Sequence, residues 1–254
     1  MDLAIPAPQL MGFALALIRT TAWISICPPF NSPAIPKRIR VGLATAISLL
    51  LATKVSESVD VNASTGEFLL LAFTQVGAGL ALGFIVFMLF GVIQAAGELI
   101  DLQVGFALGA VLDPLSGTSA APIGRFHQLL AVTILFAIDG HTLVIRGYMR
   151  SVEAVPLGEF SFSELVQEMI GLFTAFSIAA VEIGLPVLAA LFVAEISLGL
   201  LGKAAPQMNI LVIGFAAKTF IAFGLLSITV VALPNTVESI LVRSFQSISN
   251  VFGG

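Results

Sequence analysis

The stretch FLLLAFTQVGAGLALGFIVFMLFGVIQAAG, residues 68–97, is thirty residues long and holds no charged side chain. A helix rises about 1.5 Å per residue, so this stretch alone would reach about 45 Å, whereas the hydrocarbon core of a bilayer is about 30 Å thick. The apolar pattern continues to Ile100, and we predict one long helix over Phe68–Ile100. Such a helix must tilt strongly, bend or extend beyond the bilayer.

The rest of the chain is also poor in charge. Of its 254 residues, 10% are charged and 58% are hydrophobic, and the mean hydropathy is +1.07. Soluble domains carry roughly 25% charged residues, so this composition indicates a protein with several membrane helices. The apolar runs are continuous rather than alternating, which argues against an outer-membrane barrel. A net charge of −4 leaves no basic surface for nucleic acid.

We predict an all-α membrane protein with about five or six hydrophobic helices in helical hairpins, because a helix satisfies its own backbone within lipid. Besides the long helix, the predicted apolar helices are Gln9–Cys27, the short Ile39–Thr53, Phe126–Ile145, Met169–Leu201 and Ile210–Leu233, with an amphipathic tail over Thr236–Phe252. Gly184 and Pro186 are expected to break the run that contains them. A charged loop is expected from residue 146 to Glu168.

Between Gly105 and Gly124 the sequence stays apolar but loses its helical character. The segment contains four glycines and two prolines, and its one charged residue is Asp113. Non-helical backbone at membrane depth must be enclosed by protein or line a cavity, since lipid offers no hydrogen bonds. We therefore expect a glycine-rich, non-helical segment over residues 105–124 that is re-entrant or lines a cavity.

Ionisable residues within apolar helices are candidates for function, because each costs several kcal/mol in lipid. They are Arg19, Glu98, Asp101, Asp139, Glu182, Glu195 and Lys218. Glu98 and Asp101 are three residues apart and so share one helix face. Two neighbouring carboxylates need a basic partner or a shared proton, and Arg125 is the nearest base in sequence. A structural ion pair and a proton relay both fit this pattern.

Gly79 and Gly83 form a small-xxx-small pair, which allows a second helix to approach closely. We expect them at a helix contact, including one with another subunit. The single cysteine, Cys27, can form neither an intrachain disulfide nor a metal cluster and is expected to be a buried apolar residue. The sequence predicts no metal and no cofactor.

Two functions other than assembly remain open on these residues alone. A small secondary transporter would use Glu98, Asp101 and Glu182 as coupling groups, although its broken helices would normally occur in two matching halves. An intramembrane hydrolase would use Asp139 and His141, but none of the usual hydrolase motifs surrounds them.

Four groups of residues, in order, resemble a known family. They are Pro29-Phe30 with Ile35–Ala44, Ala96–Gly105, Asp113-Pro114, and Pro206–Asn209 with Gly214, Phe215 and Lys218. Together they resemble the FliR family, the R subunit of the type III secretion export gate, which has a counterpart in injectisomes. The resemblance covers nearly the whole chain, and residues 98–105 favour the flagellar branch.

The resemblance implies a non-enzymatic subunit of a protein-conducting channel in the bacterial inner (cell) membrane, at the flagellar basal body. Its partners would be the P-type and Q-type subunits FliP and FliQ, with FlhB and FlhA, unfolded export substrates and membrane lipid. Residues 1–165 would be the part similar to a P subunit, and residues 166–254 the helical hairpin similar to a Q subunit.

The resemblance also assigns residues to the channel. The pore plug would contain Gly105, Phe106, Gly109, Val111, Leu112, Asp113, Pro114 and Gly117. Subunit contacts or intramembrane charges would involve Glu98, Asp101, Arg125, Gly79, Gly83, Lys203, Pro206, Gln207, Asn209 and Lys218. The turn at Pro206–Asn209 would face the cytoplasm and FlhB, and Lys203 and Lys218 would bind partner carboxylates.

Overall fold

The fold, seen in a computed structural model, is described for residues 6–59, 64–106, 121–154 and 162–252. Over these ranges the chain forms helices and no strand, which confirms the all-α prediction. The helices are α1 Ala7–Ile26, α2 Lys37–Glu57, α3 Thr65–Val104, α4 Pro122–Ala137, α5 Gly140–Ala154, α6 Phe162–Ala204 and α7 Ile210–Phe252. Five of them contain segments long and apolar enough to cross a membrane, and α4 with α5 can count as a sixth, bent span.

The long helix expected from the uncharged stretch is α3, with 40 residues. At about 1.5 Å per residue it is about 60 Å long, twice the thickness of a bilayer core. A capping box starts it: the Ser64 backbone N–H donates to the Glu67 carboxylate, and the Glu67 N–H donates to the Ser64 hydroxyl. The prediction of one long helix over Phe68–Ile100 was therefore correct, although α3 extends beyond the predicted helix at both ends.

Two expectations about helix bounds were wrong. The predicted short helix Ile39–Thr53 is a 21-residue helix that starts directly after Pro36. The predicted single helix Phe126–Ile145 is two helices bent by 78°. The break lies at Asp139, whose φ of 55° is the left-handed conformation that aspartate tolerates better than most residues.

The last two helices are also longer than expected. Pro186 lies inside α6, which runs unbroken through Gly184, and Pro234 lies inside α7, so the last apolar span and the amphipathic tail form one helix. Membrane helices tolerate proline when other groups satisfy the freed carbonyl. The charged loop expected from residue 146 is largely helical, because α5 extends to Ala154 and α6 begins at Phe162.

The chain divides into two compact units. Unit 1 comprises Met1–Met88, Asp139–Phe173 and Leu241–Gly254, and unit 2 comprises Leu89–Ile138 and Thr174–Ile240. In unit 1, the Trp23 ring stacks on Tyr148 with centroids 4.4 Å apart. In unit 2, a buried cluster joins α3, α4, α6 and α7 through Ile100, Val104, Ile123, Val187, Leu191 and Ala222. This division by contacts does not test the predicted division at residue 165, which concerns resemblance to two subunit types.

Cys27 is fully buried in unit 1, as expected for a small apolar residue. It directly follows α1, and burial raises the pKa of its thiol well above the ordinary value. The thiol is therefore protonated and unreactive at neutral pH.

Candidate functional site

The buried carboxylate of Asp101 binds the amino terminus of α4. Its Oδ1 accepts a hydrogen bond from the Ile123 N–H at 3.1 Å, and its Oδ2 accepts one from the Gly124 N–H at 2.8 Å. The first N–H groups of a helix lack partners within the helix and carry a partial positive charge, so they suit a carboxylate. Asp101 thereby joins the two helices that flank residues 105–121.

Two glycines allow this contact to form. A Cβ atom built on Gly97 would lie 2.7 Å from the Gly124 Cα, and one built on Gly124 would lie 2.6 Å from the Glu98 Cγ. The backbones of α3 and α4 therefore touch at a distance that no side chain would permit. The sequence did not predict that these two glycines meet, although the pair determines where Asp101 can reach.

Arg125 does not have the role expected of it. Its side chain is exposed, and within the described ranges no ion pair joins it to Glu98 or Asp101. The charge of Asp101 is balanced by backbone N–H groups instead, which a search for basic side chains cannot find. With both of its oxygens bonded to backbone, Asp101 is poorly suited to carry a proton or an ion for a transporter.

Glu98 lies one turn before Asp101 and has a different environment. Its side chain is exposed, and its carboxylate accepts a hydrogen bond from the Gln94 amide at 2.7 Å. It lines a surface groove of about 580 Å³ together with small side chains of α6, Ser177 and Ala180. Glu182, the third proposed coupling group, is exposed on α6 and does not line this groove.

A second polar contact fixes the carboxyl end of α3. The Lys218 Nζ donates to the Gln103 carbonyl at 3.0 Å, and the Gln103 amide donates to the Glu195 carboxylate at 2.7 Å. The last carbonyls of a helix lack partners and attract cations, so Lys218 caps α3 from α7. Just beyond, the Phe106 ring meets the Phe215 ring edge-on at 5.6 Å. Gln103 was missed in the sequence, because an uncharged amide near a helix end is an ordinary residue.

The predicted plug falls mostly outside the described residues. Gly105, at φ 106°, and Phe106 follow α3 directly and are half-buried. The other predicted plug residues, Gly109, Val111, Leu112, Asp113, Pro114 and Gly117, lie outside the described ranges. At the far end of the segment, Pro122–Gly124 belong to α4 and are helical, so the predicted non-helical stretch ends earlier than expected.

Gly79 and Gly83 contact a helix of the same chain. A Cβ atom on Gly79 would clash with the Arg19 carbonyl, and one on Gly83 would lie 2.9 Å from the Trp23 carbonyl. The small-residue pair thus packs α3 against α1 within unit 1, which replaces the expectation of a contact with another subunit. Further along the same face, Gly91 has open space around it.

Arg19 is buried in unit 1, with 2% of its surface exposed. Its guanidinium donates to the Ser151 carbonyl at 3.0 Å, to the Ser151 hydroxyl at 3.1 Å and to the Gln75 amide oxygen at 3.4 Å. These bonds tie α1 to α3 and α5. The sequence identified Arg19 as an unusual charge but could not identify its neutral partners, which lie 56 and 132 residues away.

The remaining predicted residues lie at turns. Lys203, Pro206, Gln207 and Asn209 are all exposed at the turn between α6 and α7. The Asn209 side chain accepts from the Val212 N–H at 3.4 Å. Asp139 has a left-handed backbone conformation at the bend before His141. This backbone role accounts for Asp139 without a catalytic one. Among the described residues, no group of histidine, cysteine and acidic side chains could hold a metal.

Comparison with known proteins adds an independent line of information. The model of the family described as "Bacterial export proteins, family 1" matches residues 10–244. The flagellar biosynthetic protein FliR of Bacillus subtilis (strain 168) is 27% identical over 247 residues, which cover 94% of each chain.

Two further relatives extend this comparison. FliR of Escherichia coli (strain K12) is 27% identical over 238 residues, covering 92% of this chain and 90% of the relative. The surface presentation of antigens protein SpaR of Shigella flexneri is 27% identical over 197 residues, covering 77% and 75%. Because the family model spans almost the whole length, the chain belongs to the bacterial export proteins, family 1.

Proposed function

We propose that this protein is an integral subunit of the flagellar type III protein export gate. The observation that carries the proposal is the family match over residues 10–244, together with FliR relatives that align along 94% of this chain. The protein would form the export channel with the P-type and Q-type subunits FliP and FliQ, in contact with FlhB and FlhA. It would serve secretion of unfolded flagellar proteins from the cell membrane at the flagellar basal body, without enzymatic activity.

The surfaces of α6 and α7 support membership of a larger assembly. Both helices present large apolar side chains outward, including Phe173, Phe192, Leu211 and Phe220, the last with 80% of its surface exposed. Apolar faces of this extent need lipid or another protein to cover them. Since α3 is about twice as long as the hydrocarbon core of a bilayer is thick, sister subunits rather than lipid alone are the consistent cover.

The proposed division into a P-like part, residues 1–165, and a Q-like hairpin, residues 166–254, agrees with the long α6–α7 hairpin. The exposed turn with Pro206, Gln207 and Asn209 would face the cytoplasm and FlhB, and Lys203 would contact partner carboxylates there. The FliR relatives align over more of the chain than the SpaR relative does, which favours the flagellar system over the injectisome branch.

The proposed plug is the glycine-rich segment over residues 105–124, which follows α3 and reaches the start of α4. Asp101 holds the start of α4, and Lys218 holds the end of α3, so both ends of residues 105–121 have fixed positions. A pore that passes unfolded chains must block ions and still yield to a polypeptide. Small, mostly uncharged residues suit this task, because displacing them involves little side-chain entropy.

Deletion of residues 110–120 tests the plug directly. We expect higher conductance for small ions across membranes that contain the assembled gate, because the lumen loses its filling. Single-channel or liposome ion-flux measurements would record it, with a deletion of equal length at the carboxyl end of α7 as control. Unchanged conductance in an assembled gate would contradict the plug.

Chromosomal deletion of the gene tests the proposed function itself. We expect loss of flagellar filaments and of filament protein in the culture medium, both restored by the intact chain. Normal export in the deletion strain, with loss of uptake of a small solute instead, would contradict the proposal.

A further inference from the structure

A surface groove in unit 2 is lined by small side chains, an exposed leucine and an exposed carboxylate. It has a volume of about 580 Å³ and is bounded by Ala95, Glu98, Leu102, Ala121, Ser177 and Ala180. Four of these side chains are small, and Leu102 is a large apolar residue with 65% of its surface exposed. Small residues let a second helix approach closely, and the exposed leucine offers it apolar contact.

The one exposed charge in this groove is Glu98. Asp101 also reaches the groove but is itself 2% exposed, and its two oxygens are bonded to Ile123 and Gly124. The Gln94 amide that donates to Glu98 is uncharged, so this hydrogen bond leaves the negative charge of the carboxylate uncompensated. Burying an unpaired carboxylate costs several kcal/mol, so Glu98 would need a basic partner once another helix covered this groove.

Within the described part of the chain, Glu98 has no basic partner. Among the described residues no lysine or arginine pairs with it, and residues 107–120 contain none. Lys218, a basic residue of the same unit, donates to the Gln103 carbonyl instead. A cation from a partner subunit would therefore complete this groove.

Resting on the function proposed above, we infer that this groove is the docking site of a membrane helix from another subunit, and that a lysine or arginine of that helix pairs with Glu98. The small residues accommodate the helix backbone, Leu102 contacts its apolar side chains, and the buried ion pair fixes its register. A pair of this kind contributes specificity, because a partner without the base would leave the carboxylate unpaired.

Charge variants at Glu98 test this inference in the full chain and its native partners. Co-purification of the tagged chain from bacterial membranes should fall on the order of tenfold or more for Glu98→Lys, and several-fold for Glu98→Gln. Glu57→Gln removes the same charge at an exposed end of α2 and should change nothing. The melting temperature of the isolated Glu98→Lys chain in detergent should equal that of the wild type, which separates failed docking from failed folding.

Suppressors of Glu98→Lys give the second readout. Selection for restored motility should yield replacement of a lysine or arginine by an acidic or neutral residue in an apolar helix of another export protein. Wild-type assembly of Glu98→Lys, or suppressors confined to this chain, would overturn the docking site. If gene deletion abolishes export while Glu98 variants export normally, only this inference fails and the proposed function stands.

Discussion

Two carboxylates near the end of α3, those of Glu98 and Asp101, have opposite environments. Asp101 is closed off within the chain by backbone N–H groups of α4, whereas Glu98, three residues earlier, is exposed in a groove. Sequence spacing places both on one helix face, and it treats them as a pair. Asp101 therefore stabilises contacts within this chain, whereas the Glu98 carboxylate is accessible to another chain.

Removing the closed carboxylate should have the largest effect on stability. Asp101→Ala leaves two N–H groups at the start of α4 without an acceptor, and each orphaned group costs about 1–3 kcal/mol. We expect a loss of about 3 kcal/mol in the free energy of unfolding in detergent. Asp101→Asn keeps one good acceptor and should lose about half as much.

The open carboxylate is the matched comparison for that experiment. Glu98→Gln should change the unfolding free energy by less than about 0.5 kcal/mol, as for most surface substitutions. Equal losses of unfolding free energy for Asp101→Asn and Glu98→Gln would contradict the difference between the buried Asp101 and the exposed Glu98.

Alanine substitution at two glycines of α3 should change the free energy of unfolding in opposite directions. Gly97→Ala pushes a methyl group against the α4 backbone and should cost about 1–3 kcal/mol, because backbone atoms must move. Gly91→Ala meets open space and should stabilise the isolated chain by about 0.5–1 kcal/mol, because alanine favours the helix. Thermal unfolding in detergent measures both, and destabilisation by Gly91→Ala would show that this face is not open.

The contact at the carboxyl end of α3 should have a smaller effect on stability than Asp101 or Gly97. Lys218→Met removes one charge-assisted hydrogen bond to the Gln103 carbonyl and should cost about 1 kcal/mol. Lys203→Met removes an exposed charge at the turn before α7 and serves as control. If the two variants unfold alike, Lys218 does not hold α3.

Composition and hydropathy predicted the helix content, the long α3 and the turn after Ala204, because burial and lipid exposure act on whole helices. They failed at single positions where local geometry decides. Pro186 and Pro234 do not end their helices, and Asp139 bends a run that looked continuous.

Partners were harder to predict than the residues themselves. The unusual charges were visible, but Asp101 and Arg19 bind backbone and neutral groups, which carry no sequence signature. The Gly79–Gly83 pair correctly marked a close helix contact, but its partner is α1 of the same chain. Spacing shows that a helix can approach, and only the fold shows which helix does.

Native mass spectrometry of the tagged chain, purified from bacterial membranes in mild detergent, would show whether it is a subunit of a larger export complex. We predict a discrete complex much heavier than the 26.5 kDa chain, containing one copy of it with other export subunits. Recovery of a monomer or homodimer that takes up a small solute would contradict the role of an export-gate subunit.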